Sequence, residues 1–204
     1  AHAVGSLYAG FGGTSDGVST RSATTLTETG GFPVTGTLSG IEAGETSNLY
    51  VTADDSITNF SIAGGVIATD SVSGAAYSDV ALLGAQIFVT SAGATPGISA
   101  RDLNTLVESD FFNLAYTPTS IEDGFGRLYV TAGDTLYILT SDGTELTNAS
   151  TGTAGVTFVE SALSGVYDSL RAADKIWYKR ILAKIIHFGN PVMNFILNIF
   201  LRCI

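Results

Sequence analysis

Short runs of aromatic and β-branched residues recur along the chain, each bounded by glycine or polar residues. Leu128–Thr131 (Leu-Tyr-Val-Thr) and Leu136–Leu139 (Leu-Tyr-Ile-Leu) are representative. Such side chains pack well on a pleated sheet, and runs this short, interrupted by glycine, do not make helices. The pattern therefore predicts short β-strands joined by tight turns.

One of these runs recurs at a nearly constant interval. An apolar residue, an aromatic residue, Val and Thr follow one another at Leu49–Thr52, Ile87–Thr90 and Leu128–Thr131. With two looser copies, the aromatic anchors of the series are Tyr8, Tyr50, Phe88, Tyr129 and Trp177. The interval is about 40 residues, which is the length expected for one repeat of three or four short strands.

The similarity extends to both sides of the anchors. An apolar residue stands six to eight positions before each run, at Ile41, Val80, Ile121 and Leu170. Polar turns follow the runs, and Asp142-Gly143 comes after the second strand of one unit. Glycine supplies the positive φ that a primed hairpin turn requires, so a hairpin is predicted there.

These repeats resemble those of β-propeller proteins, of the YVTN/LVIVD-like or quinoprotein-like kind found in bacterial secreted proteins. The resemblance rests on the three aromatic-Val-Thr runs and covers most of residues 1–177. It implies an all-β, β-propeller-like array of about four short-stranded blades, complete or as a fragment of a larger ring. A β-sandwich or adhesin-like β repeats would show short strands at similar spacing and stay the alternative.

Composition changes abruptly near the C-terminus. Residues 1–170 contain 18 acidic and 3 basic residues and no lysine, whereas residues 171–204 contain 6 basic residues and 1 acidic residue. Residues 178–204 are apolar and basic and continue none of the repeat positions. They are interpreted as a membrane-surface segment or as the product of a shifted reading frame, with a helix packed on the domain as a third possibility.

The residues that are missing exclude most catalytic chemistry from the repeats. Between Ala3 and Asp174 there is no His, Cys or Lys. A serine triad lacks its usual base, a Schiff-base enzyme lacks its amine, and zinc or copper lacks its usual ligands. The net charge of −10 disfavours nucleic acid as a partner.

Carboxylates remain available in the turns. Oxygen ligands there suit Ca²⁺, which makes weak metal candidates of Asp54, Asp55, Asp134 and Asp142. Aspartate also favours turns because it hydrogen-bonds its own backbone, so this pattern has a purely structural explanation too. A glycosidase or lyase working with two carboxylates is not excluded, although no pair can be chosen from the sequence.

Together these observations predict a non-catalytic repeat module that binds protein or carbohydrate, or serves as a scaffold. Repeats present their loops on a rigid platform, which suits recognition. The alternative is a carboxylate-based propeller enzyme. No catalytic residue and no cofactor are assigned apart from the possible Ca²⁺. An acidic, lysine-free surface rich in Ser, Thr and Gly is expected of a bacterial extracellular or cell-surface protein, with membrane contact only through residues 178–204.

Overall fold

The computed structural model describes residues 6–11, 16–44 and 48–150, and within them every regular element is a β-strand. Sheet 1 consists of β1 (Ser6–Phe11), β2 (Gly17–Ser22) and β3 (Glu28–Pro33). Sheet 2 consists of β4 (Leu38–Ala43), β5 (Asn48–Ala53), β6 (Ser56–Ser61) and β7 (Val66–Ser71). Sheet 3 consists of β8 (Tyr77–Leu83), β9 (Gln86–Ser91), β10 (Gly97–Asp102) and β11 (Glu108–Asn113). Sheet 4 consists of β12 (Ser120–Gly124), β13 (Arg127–Ala132), β14 (Thr135–Leu139) and β15 (Glu145–Ser150).

Each sheet is an antiparallel meander in which neighbours along the chain are neighbours in space. The aromatic anchors of sheets 2 to 4 occupy equivalent register positions: Tyr50 pairs with Glu42, Phe88 with Ala81, and Tyr129 with Glu122. The predicted upstream apolar residues Ile41, Val80 and Ile121 likewise pair with the valine that follows each anchor. The predicted repeat is therefore confirmed in these three sheets. Trp177 and Leu170 lie outside the described residues.

The apolar core is divided into three clusters, one between each pair of consecutive sheets. Val18, Leu49 and Val51 belong to the cluster between sheets 1 and 2. Tyr50, Val80 and Leu106 belong to the next cluster, and Phe88, Ala100 and Leu128 to the last. Successive residues of one strand thus face opposite neighbouring sheets, because successive side chains of a strand point to opposite faces. Each central sheet is covered on both faces, so the alternative of a two-sheet sandwich is wrong.

The first strands of the sheets lie side by side. β8 contacts β4 on one side and β12 on the other. Consecutive hairpin turns lie at opposite ends of the strands in a meander, so loops connect the strands at both ends of each sheet. We call the strand ends that carry the β5–β6, β7–β8, β9–β10 and β13–β14 connections the upper edge, and the opposite strand ends the lower edge.

The hairpin predicted at Asp142-Gly143 differs in detail from the expectation. Gly143 does have a positive φ of 79°. The connection is longer than a two-residue primed turn, however, because Thr140–Thr144 separate the strands and the Gly143 amide donates to the Thr140 carbonyl at 3.0 Å. Glycine is thus the fourth residue of the turn, where a left-handed residue leads the chain into β15.

The proposed boundary at residues 177/178 and the atypical tail 178–204 lie outside the described residues. Over the stretches that the structure describes, no helix is long and apolar enough to cross a membrane.

Candidate functional site

The aspartates proposed as calcium ligands have structural partners in the turns. Asp54 begins the β5–β6 turn with a φ of 50°. The Asp55 carboxylate accepts hydrogen bonds from the amides of Gly74 at 2.7 Å and Ala76 at 2.8 Å, which lowers the pKa of Asp55 below its usual value. Asp55 therefore fastens the β7–β8 loop to the β5–β6 turn.

The other two candidates lie in sheet 4 at opposite edges. Asp134, at the upper edge, accepts hydrogen bonds from the hydroxyls of Thr135 and Ser150, which lower its pKa. Asp142 lies in the lower-edge turn and accepts hydrogen bonds from the Thr140 hydroxyl and the Thr144 amide. The structure does not bring the four candidates together, and among the described residues no group of three or more acidic, His or Cys side chains is arranged to hold a metal. Calcium binding by single carboxylates stays a prediction.

A pocket of about 330 Å³ opens at the upper edge between sheets 2 and 3. The β7–β8 loop forms one wall and the β9–β10 loop another, with β11 below them. The lining is mainly small or apolar, with a few hydroxyls and one carboxylate: Val72, Ser73, Gly74, Ala75, Tyr77, Ser91, Ala94, Thr95, Glu108 and Phe111. Its volume is at the small end of the range for ligand sites, so it fits one or two amino-acid side chains or one sugar ring.

The loops around this pocket are held by a dense set of hydrogen bonds. The Ser91 hydroxyl and the Gly93 amide both donate to the Ala75 carbonyl, at 2.7 and 2.9 Å. The Tyr77 amide donates to the Asp54 carbonyl at 2.7 Å. Together with the Asp55 carboxylate, these bonds fix the pocket wall before any ligand arrives, which reduces the entropy lost on binding.

A fully buried arginine lies next to the pocket and contacts two of the residues that line it. Arg101 donates to the Tyr77 hydroxyl at 2.7 Å and to the Leu106 carbonyl at 2.8 Å, and it forms ion pairs with Asp70 and, at 3.6 Å, with Glu108. Burial raises the pKa of Tyr77, and the nearby guanidinium only partly opposes this. Because Asp70 belongs to sheet 2 and Arg101 to sheet 3, the cluster also joins the two sheets. Arg101 is one of the three basic residues before residue 171, and its local sequence does not predict this role.

Three carboxylates lie on the adjacent first strands of sheets 2 to 4. Burial, together with the negative charges of Asp123 and Asp79, raises the pKa of Glu42 on β4 to about 7. Asp79 on β8 accepts hydrogen bonds from the Ser120 hydroxyl at 2.7 Å and the Ile121 amide at 3.0 Å. Burial also raises the pKa of Asp79, although these donors oppose it. Asp79 thus ties sheet 3 to sheet 4, whereas Glu42 is held partly protonated near neutral pH.

Comparison with known proteins defines the class of this fold. The chain folds as a β-propeller-like array, as the repeats predicted. It is similar to the WD40 domain of Neurospora crassa Pan2, with a TM-score of 0.60 and 11% identity over 71% of this chain and 46% of that one.

Two bacterial structures are similar as well. One is a protein of unknown function from Bacteroides caccae, with a TM-score of 0.58 and 10% identity over 72% of this chain and 58% of that one. The other is BamB from Moraxella catarrhalis, with a TM-score of 0.57 and 14% identity over 79% of this chain and 51% of that one. The chain spans about half the length of these structures. No protein-family model matches it, and no curated protein matches it significantly.

Proposed function

We propose that this protein is a non-catalytic binding module whose upper-edge pocket between sheets 2 and 3 takes a short segment of a partner protein. The observation that carries the proposal is the preformed pocket of about 330 Å³, with walls held by Asp55, Ser91 and Gly93. Concave apolar surfaces with a few fixed polar groups are the usual form of a recognition site.

The lining favours a particular chemistry in the partner. Val72, Ala94 and Phe111 offer an apolar surface for one side chain. Glu108 adds a carboxylate whose side chain is 41% exposed. The acidic charge of the repeats would attract a basic segment over a longer range. We infer that the ligand is a peptide with an apolar residue beside a lysine or arginine.

The localisation of the module belongs to the same proposal. An acidic surface without lysine in the repeats supports an extracellular or cell-surface protein of bacterial type. Membership in the YVTN/LVIVD-like or quinoprotein-like propellers also remains a proposal, supported by the three aromatic-Val-Thr runs.

A peptide-display selection tests the binding proposal. The full chain is panned against a random peptide library, and enriched peptides are measured by fluorescence anisotropy. Ala94→Arg places a long basic side chain at the mouth of the pocket and is expected to raise the Kd of these peptides by about tenfold or more.

The matched control is Val66→Arg. Val66 is exposed at the lower-edge start of β7, whereas the opposite end of this strand leads into the pocket wall. Its Kd should stay close to that of the unmodified chain. Equal effects of both variants, or enrichment of glycans and no peptides on parallel arrays, would contradict the proposal.

A carboxylate-based hydrolase is the second candidate, and one observation favours it. Glu42, with a pKa raised to about 7, could act as a general acid at neutral pH beside carboxylates from neighbouring first strands. Release of nitrophenol from a panel of nitrophenyl glycosides, lost in Glu42→Gln and retained in the exposed-site variant Asp110→Asn, would support it. No release above the buffer rate would rule out this candidate for those substrates.

A further inference from the structure

Two segments of the chain share a motif with the same spacing. Residues 17–34 and 97–114 both contain Gly-(Val/Ile)-Ser-x-Arg, then Thr-Leu-x-Glu, then Phe at the same offsets. Arg21 thereby corresponds to Arg101, Leu26 to Leu106 and Glu28 to Glu108. Sheets 1 and 3 are copies of one type, at twice the interval of the aromatic anchors.

Both segments form the same lower-edge turn. The amides of Leu26 and Leu106 donate to the carbonyls of Ser22 and Asp102, at 2.9 and 3.0 Å. The two leucines have φ values of 57° and 60°. A leucine in this left-handed region is strained, so contacts with the surrounding structure must stabilise the turn.

In sheet 3 that turn is docked onto sheet 2. Leu106 is fully buried in the cluster between the two sheets. The Leu103 carbonyl accepts hydrogen bonds from the Tyr50 hydroxyl at 3.1 Å and from the side-chain amide (Nδ2) of Asn59 at 3.3 Å. Arg101 meets the Asp70 carboxylate on the outermost strand of sheet 2. We call these contacts the arginine-leucine junction.

In sheet 1 no described residue covers the corresponding side in this way. Leu26 is 59% exposed and the Arg21 side chain is 42% exposed. Within the described part of the chain, Arg21 donates to the Leu26 carbonyl and the Glu28 carboxylate, which both belong to its own sheet. The Ser19 hydroxyl is buried and has no hydrogen-bond partner among the described residues, whereas its counterpart Ser99 donates to Glu108 at 2.6 Å.

The other junctions between sheets are of a different kind. Gly64 in the lower-edge turn of sheet 2 lies against the ring of Phe32 in sheet 1, where a Cβ would come within 2.7 Å of the ring. Gly143 of sheet 4 lies in the same way against Phe112 of sheet 3. Glycine-phenylalanine junctions therefore precede and follow the arginine-leucine junction, and the two kinds alternate along the array.

We propose that the side of sheet 1 bearing Arg21 and Leu26 is an interface for a further sheet built like sheet 2. Such a sheet presents a tyrosine hydroxyl and an asparagine amide from its inner strands and a carboxylate from its outermost strand, as Tyr50, Asn59 and Asp70 do. Sheet 4 of a second copy does not fit, because Ala149 stands at the register position of Asp70. The interface thus selects its partner by a carboxylate for Arg21 and an apolar recess for Leu26.

An extended chain tests the proposal. A copy of residues 34–85 is joined directly before Ser6, so that Ser6 follows the copied Ala85 as Gln86 does in the natural sequence. The readout is hydrogen exchange of the Leu26 amide, with the Leu106 amide of the same chain as the internal reference. We expect the extension to slow exchange at Leu26 by about tenfold or more, and Asp70→Asn in the copy to reverse part of that gain.

Two outcomes would overturn the proposal. One is exchange at Leu26 that the extension leaves unchanged while Leu106 stays protected, whether or not the copy itself folds. The other is a concentration-dependent dimer of the unextended chain, seen by sedimentation and abolished by Arg21→Gln, because a second copy would then be the partner. Peptide binding at the upper-edge pocket is measured separately, so its failure leaves this interface unaffected.

Discussion

At the scale of single residues, buried charge is the feature that most distinguishes this chain. Arg101 is fully buried and its two terminal nitrogens bond partners from two sheets, whereas Arg21, in the same local sequence, is half exposed. The surrounding sheets, and not the local sequence, decide whether such an arginine becomes a buried ion pair or a surface one. Buried pairs are costly to desolvate and add specificity only where their geometry is complete.

Glu42 gives a prediction about pH. Its folded pKa of about 7 lies above the ordinary value of 4.5, so the folded state binds a proton more tightly than the unfolded chain does. The stability associated with this proton is therefore present below pH 4.5 and lost as the pH rises towards 7. Glu42→Gln should remove that loss, so that the urea midpoint of the variant falls less between pH 4 and pH 8.

The control for this prediction is Asp110→Asn, which neutralises an exposed carboxylate on β11. Its urea midpoint should follow the pH dependence of the unmodified chain. If Glu42→Gln also keeps that dependence, burial of Glu42 does not control its proton.

At the scale of elements, one hydrogen bond recurs in three sheets. A hydroxyl before or at the start of the first strand pairs with the threonine of the aromatic-Val-Thr run: Ser39 with Thr52 at 3.0 Å, Ser78 with Thr90 at 2.9 Å, and Thr119 with Thr131 at 2.9 Å. The three run threonines are fully buried. The threonine in the run therefore does more than favour a strand, since it fixes the first strand against the second.

This recurrence predicts a common cost of mutation. Thr52→Val, Thr90→Val and Thr131→Val keep the shape of the side chain but remove a buried hydrogen bond. Each should lower the free energy of unfolding by about 1–2 kcal/mol in urea titrations. Thr58→Val, which breaks the exposed Thr58–Thr69 pair, should cost less than about 0.5 kcal/mol. A similar cost at all four positions would show that burial of the pair has no effect.

The sequence predicted some elements and missed others for physical reasons. Tyr50, Phe88 and Tyr129 could be aligned because their local pattern of apolar and β-branched residues is the signal itself. The burial of Arg101 depends on Asp70 and Tyr77, which are brought to it by a neighbouring sheet and leave no local signal. The match between residues 17–34 and 97–114 was present in the sequence, but the shorter interval of the aromatic anchors masked it. The nearness of Glu42 to Asp123 depends on the stacking of three sheets, which spacing along the chain does not specify.

At the scale of the whole molecule, stability is distributed over contacts between consecutive sheets. Each cluster of the core involves only two neighbouring sheets, as in other repeat arrays where each unit contacts its neighbours alone. A destabilising substitution in one cluster should then speed hydrogen exchange in its two sheets and leave the amides of the other sheets protected.

The aromatic anchors test this distribution. Phe88 is fully buried between sheets 3 and 4, whereas Tyr129, at the equivalent position of sheet 4, is only partly buried. Phe88→Ala should lower the free energy of unfolding by about 3–5 kcal/mol. Tyr129→Ala should cost less, about 1–2 kcal/mol, because less apolar area leaves water there. Hydrogen exchange should show that sheet 1 stays protected in the Phe88 variant, and equal loss in all four sheets would contradict the distributed picture.

The alternation of the two junctions limits how the array can change in length. Adding or deleting a single sheet would set a glycine turn opposite a surface shaped for leucine, or force a leucine turn against a phenylalanine ring. Inserting or removing two sheets together preserves the alternation of the two kinds of junction. Engineered versions of this scaffold should therefore grow and shrink in pairs.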